Sequence, residues 1–198
     1  MKKCEERFEE AIKGFDAVHR KDPEKVFTED GKVARSLRYH QRLTYWAQKL
    51  SLDPSEALRL AARCQHLQRW AIPRATFPMD RVGYRRWRSA LAEFHAKEAG
   101  AILRSVGYSE IVINRVGELL MKKRLRLDEE VQLFEDAICL VFLECELPEF
   151  VRKHDEMKVE SVLRKTWKKM SPHGREAAHA LSADLSGEIQ VLLQPFVR

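Results

Sequence analysis

Two histidines and a pair of adjacent carboxylates are the side chains of this sequence best suited to chemistry. Glu135 and Asp136 stand inside its most apolar stretch, VQLFEDAICLVFLE. A helix built from that run is buried on most sides, and an ionised carboxylate there is costly unless a metal, a base or a hydrogen-bond network compensates it. His66 follows Ala62 by four residues and Leu58 by eight, while His95 stands four residues from both Leu91 and Ala99. Each imidazole therefore lies on the apolar stripe of its own helix. Imidazole and carboxylate ligands suit a divalent metal (Mn, Fe, Mg, Zn or Ni), which lowers the pKa of bound water and polarises a phosphoryl oxygen. The expected metal ligands are His66, His95 and Asp136, with Glu135 as general base or as a partner behind the ligands. His40, flanked by polar residues in YHQRLTYW, is expected at the surface.

A substrate for such a centre would be anionic, because the positive charge is concentrated nearby in sequence. Between Arg63 and Arg88 seven arginines face one acid, Asp80, and this segment alone matches the formal net charge of +6. Trp70, Phe77, Tyr84 and Trp87 are interleaved with them. Guanidinium forks grip phosphate and aromatic faces stack on bases, so the segment has the composition of a nucleotide pocket, and it would serve RNA equally well. The expected substrate contacts are Arg63, Arg69, Arg74, Trp87 and Arg88, with Arg69 and Arg74 favoured for phosphate. Lys165 and Lys168, one helical turn apart in KTWKKM, add charge to the same cleft.

Helices must position these groups. Phe8, Ala11, Ile12, Phe15 and Val18 set a first helix over about residues 5–20, ending near Asp22-Pro23. Val33 to Leu50 give a second, and Asp53-Pro54-Ser55-Glu56 reads as the start of a third that runs to Trp70. AIPRATFPMDRVGY, with two prolines and a glycine, is an arginine-rich loop. Further helices are expected from Tyr84 to Val106, from Ser109 to Lys123, from 129 to 147 with Asp128 as cap and Pro148 as breaker, over VESVLRKTWKKM, and near 174–184. No segment alternates as a strand does, and the fold class is all-α, one domain over 1–198.

Cysteines at 4, 64, 139 and 145 have neither metal-ribbon nor disulfide-framework spacing, which fits a reducing cytoplasm. The N-terminal MKKCEERFEEAIK has no apolar core for a secretory signal, and AICLVFL is far short of the roughly 20 residues that span a bilayer. No membrane partner is expected, and the oligomeric state is open. Neither a phosphate-cradling Walker loop, a dinucleotide glycine fingerprint nor a G-x-S-x-G elbow is present.

The order His66, His95, Asp136 across successive helices, with HAKEAGAILRSVGYSEIVINRV, resembles the HD superfamily of helical phosphohydrolases, although neither histidine is followed by the aspartate that names it. That resemblance implies an HD-like core over about 33–147 followed by a basic helix and tail over 155–198. The blocks FDAVHRKDP, AARCQHLQRWAIPRATFPMDRVGYRRW, FHAKEAGAILRSVGY, LFEDAICLVFLE and KTWKKMSPHG resemble, along nearly the whole chain, a family catalogued as domain of unknown function 4202. The combined expectation is a phosphohydrolase acting on a nucleotide or another phosphorylated small molecule at a degenerate, metal-dependent site. The alternatives are a non-catalytic RNA-binding module and a structural, partner-binding helical protein.

Overall fold

Apolar residues four apart make the first helix. Ala11 and Phe15 are fully buried along one stripe of α1 (Lys2–His19), and His19 ends that stripe equally buried. The computed structural model of the chain describes residues 2–28 and 31–196. Ten α-helices dominate them, in agreement with the all-α reading, and none of these helices is long and apolar enough to cross a membrane. The described residues cluster into two compact units, one within 1–44 and 55–123 and the other within 45–54 and 124–198.

The polar stretch after α1, in which no strand is expected, pairs as an antiparallel hairpin of β1 (Lys25–Thr28) and β2 (Gly31–Ala34). Asp22 ties its two ends, one carboxylate oxygen accepting the Glu24 N–H and the other the Ser36 N–H, each at 2.9 Å. Four residues per strand are too few for alternation to show. From there α2 (Arg35–Leu50) buries Leu37, Leu43 and Ala47.

The third helix is displaced and shorter than the sequence suggests. Ser55, not Asp53, caps α3 (Glu56–Cys64), its hydroxyl accepting the Leu58 N–H at 3.1 Å. It stops well short of Trp70 because the next backbone donors are diverted. The His66 N–H is given to the side chain of His40 at 3.1 Å, and Gln68 turns the chain at φ 51°. Two short 3-10 turns follow, Arg69–Ala71 and Arg74–Thr76.

Asp80 starts α4 (Arg81–Ser105) earlier than the expected Tyr84, accepting the Gly83 N–H at 2.6 Å. Gly83 is required there: a Cβ would stand 2.0 Å from the Pro78 carbonyl oxygen, so loop and helix meet backbone to backbone. Gly107, at φ 86°, turns the chain after α4 into α5 (Glu110–Leu120). Helices α1, α3, α4 and α5 pack together to make the first unit.

In the second unit Asp128 caps α6 (Glu129–Val141) as expected. Pro148 does not break the run. A π-helical turn, Phe142–Glu146, carries α6 into α7 (Leu147–Lys153), and Pro148 occupies the first turn of α7, where no intrahelical N–H partner is lost. Then come α8 (Glu156–Lys169), α9 (Pro172–Ser182) and α10 (Gly187–Leu193), the last of which the sequence patterns did not indicate.

Candidate functional site

Four imidazoles, not two, meet in the first unit. His19 of α1 and His40 of α2 stack with ring centroids 3.8 Å apart and planes 15° from parallel. His40 lies 6.1 Å from His66, and His66 lies 5.6 Å from His95 of α4. His40 is fully buried, contrary to the surface position expected for it. The signal was available: His40 lies three residues after Leu37 and three before Leu43, and His19 follows Phe15 by four.

Hydrogen bonds divide the cluster into two kinds of histidine. His19 Nε2 donates to the Arg63 carbonyl at 2.8 Å, and its Nδ1 accepts from the Ser36 hydroxyl at 2.7 Å. His40 Nδ1 donates to the Ser36 carbonyl at 2.6 Å, leaving Nε2 to accept the His66 N–H. Both rings are thus complete, and their role is to hold the turn after α3. His95 differs. Its Nδ1 donates to the Leu67 carbonyl at 2.7 Å, which fixes the tautomer and leaves Nε2 as a bare acceptor, buried and without a hydrogen-bond partner. In a residue only 2 % exposed, a nitrogen left in this way is a feature a core histidine seldom shows.

Desolvation makes all four rings neutral bases. Burial lowers His19 to about 4 against the pull of the Arg63 carbonyl, and lowers His95 to about 4 against that of the Leu67 carbonyl. His40 and His66 are held well below the usual range, by burial first and then, for His40, by the repulsion that would arise if the stacked His19 were charged too and, for His66, by the positive charge of Arg69. The exposed Arg69 guanidinium donates to His66 Nε2 at 3.3 Å and lies 5.1 Å over the Trp87 ring. Its charge acts on His95 as well. Tyr39 also stacks on His66, at 5.4 Å, and donates to the Gln65 side chain at 2.9 Å.

The structure sorts the expected substrate contacts. Arg63 makes a two-pronged pair with Asp16 of α1 at 2.7 and 2.8 Å, both side chains only 12 % exposed, and so secures α3 to α1. Arg74 spends its guanidinium on the carbonyls of Phe77, Pro78 and Asp80 and thereby shapes the loop before α4. The Trp87 indole donates to the Ile72 carbonyl at 2.9 Å and is buried beneath Arg69. Of the expected contacts Arg69 is the one whose guanidinium meets an imidazole, while Arg88 is exposed on α4. Lys165 and Lys168 belong to the exposed face of α8 in the second unit.

Glu135 and Asp136 are both buried, as the sequence demands, and both belong to the second unit. Asp136 accepts from the Ser171 N–H at 2.8 Å, the Ser171 hydroxyl at 2.5 Å and Gln132 Nε2 at 3.0 Å. Burial raises its pKa and these donors oppose the rise. Ser171 in turn caps α9, and Gly174 leaves the space: a Cβ there would stand 2.5 Å from the Asp136 carboxyl carbon. Glu135 is ion-paired with Lys169 at 3.3 Å. The desolvation cost of the acid pair is therefore met by a capping network and a lysine. Among the described residues no group of three or more His, Cys, Asp or Glu side chains is arranged to hold a metal ion, and of the expected ligands His66 and His95 belong to the first unit and Asp136 to the second.

No curated protein and no solved structure matches the chain. One family model does, over residues 9–193. Since that match takes in the hairpin, the four histidines, the arginine loop and the capping network alike, the chain belongs to the family described as Domain of unknown function (DUF4202).

Proposed function

We propose that the protein is a phosphohydrolase acting on a nucleotide or a similar phosphorylated small molecule, with His95 as general base. The observation that carries this reading is the bare Nε2 of His95, oriented by the Leu67 carbonyl and unprotonated at neutral pH. In this reading Nε2 takes a proton from water as the water oxygen attacks phosphorus. The bond from phosphorus to the leaving oxygen breaks, and the imidazolium returns the proton to that oxygen. Arg69, the exposed cation on the rim, holds the phosphoryl oxygens and shifts off His66 to admit them. No step needs the three-ligand metal group that the HD resemblance implied. A cytoplasmic location is part of the same proposal.

Phosphate release by the full chain, screened over nucleoside mono-, di- and triphosphates, tests it. Replacing the base costs on the order of 100-fold in kcat or more, in His95→Ala and equally in His95→Gln, which retains a polar side chain of similar size. Arg69→Gln raises KM more than it lowers kcat. Absence of turnover in the unaltered protein, or full turnover in both His95 variants, would refute the reading.

A further inference from the structure

The histidine site absorbs only one arginine of the basic segment, and the structure leaves others unspent. Arg81, Arg85, Arg86 and Arg88, on the first two turns of α4, are all exposed and form no ion pair among the described residues. The one acid of the segment, Asp80, is occupied by the Gly83 N–H, and the next acid along the helix is Glu93. The patch therefore keeps its full positive charge. It is also made without lysine, since none occurs between Lys49 and Lys97. A surface that only needs charge has no reason to choose planar forks, whereas one that grips phosphate oxygens two at a time does. Arg81, Arg85 and Arg88 follow one stripe, about 6 and 4.5 Å apart along the axis. Beside them the Tyr84 ring is 46 % exposed, a face on which a base can stack.

We propose that the first two turns of α4 form a binding surface for single-stranded nucleic acid, its phosphates held by Arg81, Arg85, Arg86 and Arg88 and a base stacked on Tyr84. An anionic membrane is the poorer fit: the apolar face of α4, with Trp87, Leu91 and Ala99, is buried within the first unit, and beside the patch the exposed large hydrophobic residues are Met79, Val82 and Tyr84, too few to anchor a helix in lipid. The surface stands independently of the hydrolytic reading, because His95 belongs to the buried stripe of α4 with Leu91 and Ala99, whereas the four arginines are exposed.

Fluorescence anisotropy of a labelled 12-nucleotide RNA, titrated with the full chain between 50 and 200 mM salt, tests the surface. The variant Arg81→Gln/Arg85→Gln/Arg86→Gln/Arg88→Gln changes only exposed side chains and is expected to keep the melting temperature. Its dependence of log affinity on log salt falls in magnitude by about 3, roughly 0.7 for each lost phosphate contact. Tyr84→Leu weakens binding about fivefold or more. His95→Ala leaves affinity unchanged, so loss of turnover without loss of binding, or the reverse, separates the fate of the two proposals. The surface is ruled out if the unaltered protein binds the RNA no better than the quadruple variant, if the salt dependence is the same in both, or if vesicles of anionic lipid are bound while the oligonucleotide is not.

Discussion

Acidification from pH 6.5 to 4 is expected to destabilise the first unit strongly. Unfolded, each histidine takes up a proton near 6.5; in the fold His19 and His95 resist protonation until about 4. Their contribution is complete above 6.5, drains away as the pH falls through that window, and is gone below the folded value. Each shift corresponds to about 3 kcal/mol, and two together are comparable with the whole stability of a typical domain, about 5–15 kcal/mol. His40 and His66, also lowered by burial, act in the same direction. Asp16 and Asp22 face His19 and favour its protonated form, while Arg63 opposes it, and neither offsets the burial that dominates. Asp136 in the second unit, whose pKa is raised, gains from acid instead. Circular dichroism followed from pH 7 to 4 should show a cooperative loss of helix with a midpoint near about pH 5. A melting temperature that stays level across that range would contradict the buried neutral cluster.

Removing one partner of the Asp16–Arg63 pair gives the second large effect. With both side chains 12 % exposed, Arg63→Ala leaves a mostly buried carboxylate whose remaining ion-pair partner among the described residues is the exposed Arg20 at 4.0 Å. Breaking such a pair costs about 3–5 kcal/mol, whereas truncating a solvated arginine such as Arg88 stays within about 0.5 kcal/mol. Replacing both members with apolar residues of similar size recovers most of the loss. Urea denaturation of Arg63→Ala, Arg88→Ala and the double replacement Asp16→Leu/Arg63→Met distinguishes a packing role from a ligand-binding one. Equal, small losses for the two single variants would mean that Arg63 is not the structural tie that its geometry implies.

The contrast between Arg63 and Arg88 shows what was legible in the sequence. Arginine density between residues 63 and 88 is plain from composition, but which guanidinium is spent on an aspartate, which on loop carbonyls and which on nothing depends on partners far off in the chain. The helices were visible wherever a cap and an apolar stripe agree, as at Asp128 and along His95. They were misjudged where a side chain from another helix intervenes: nothing local to Gln65 or His66 says that His40 claims the next backbone N–H and ends α3. Pro148 misled for a related reason, since a π-helical turn just before it relieves the backbone. The acid pair was read as buried, which it is, but as part of a metal site rather than of a cap and an ion pair. Its compensators, Ser171, Gln132 and Lys169, were not identifiable, because two of the three follow it by more than thirty residues. Stripe positions fix which residues go inside, while the identity of each polar partner is decided by how helices meet.

The stacked rings of His19 and His40 carry their single protons on opposite nitrogens, Nε2 in the first and Nδ1 in the second. Tautomers locked in this way do not average on the nuclear magnetic resonance timescale. Two-bond nitrogen–proton correlations should therefore give this pair two unlike and sharply resolved patterns, distinct from the averaged pattern of a solvent-exposed imidazole, and their collapse would report opening of the turn after α3 before any helix melts.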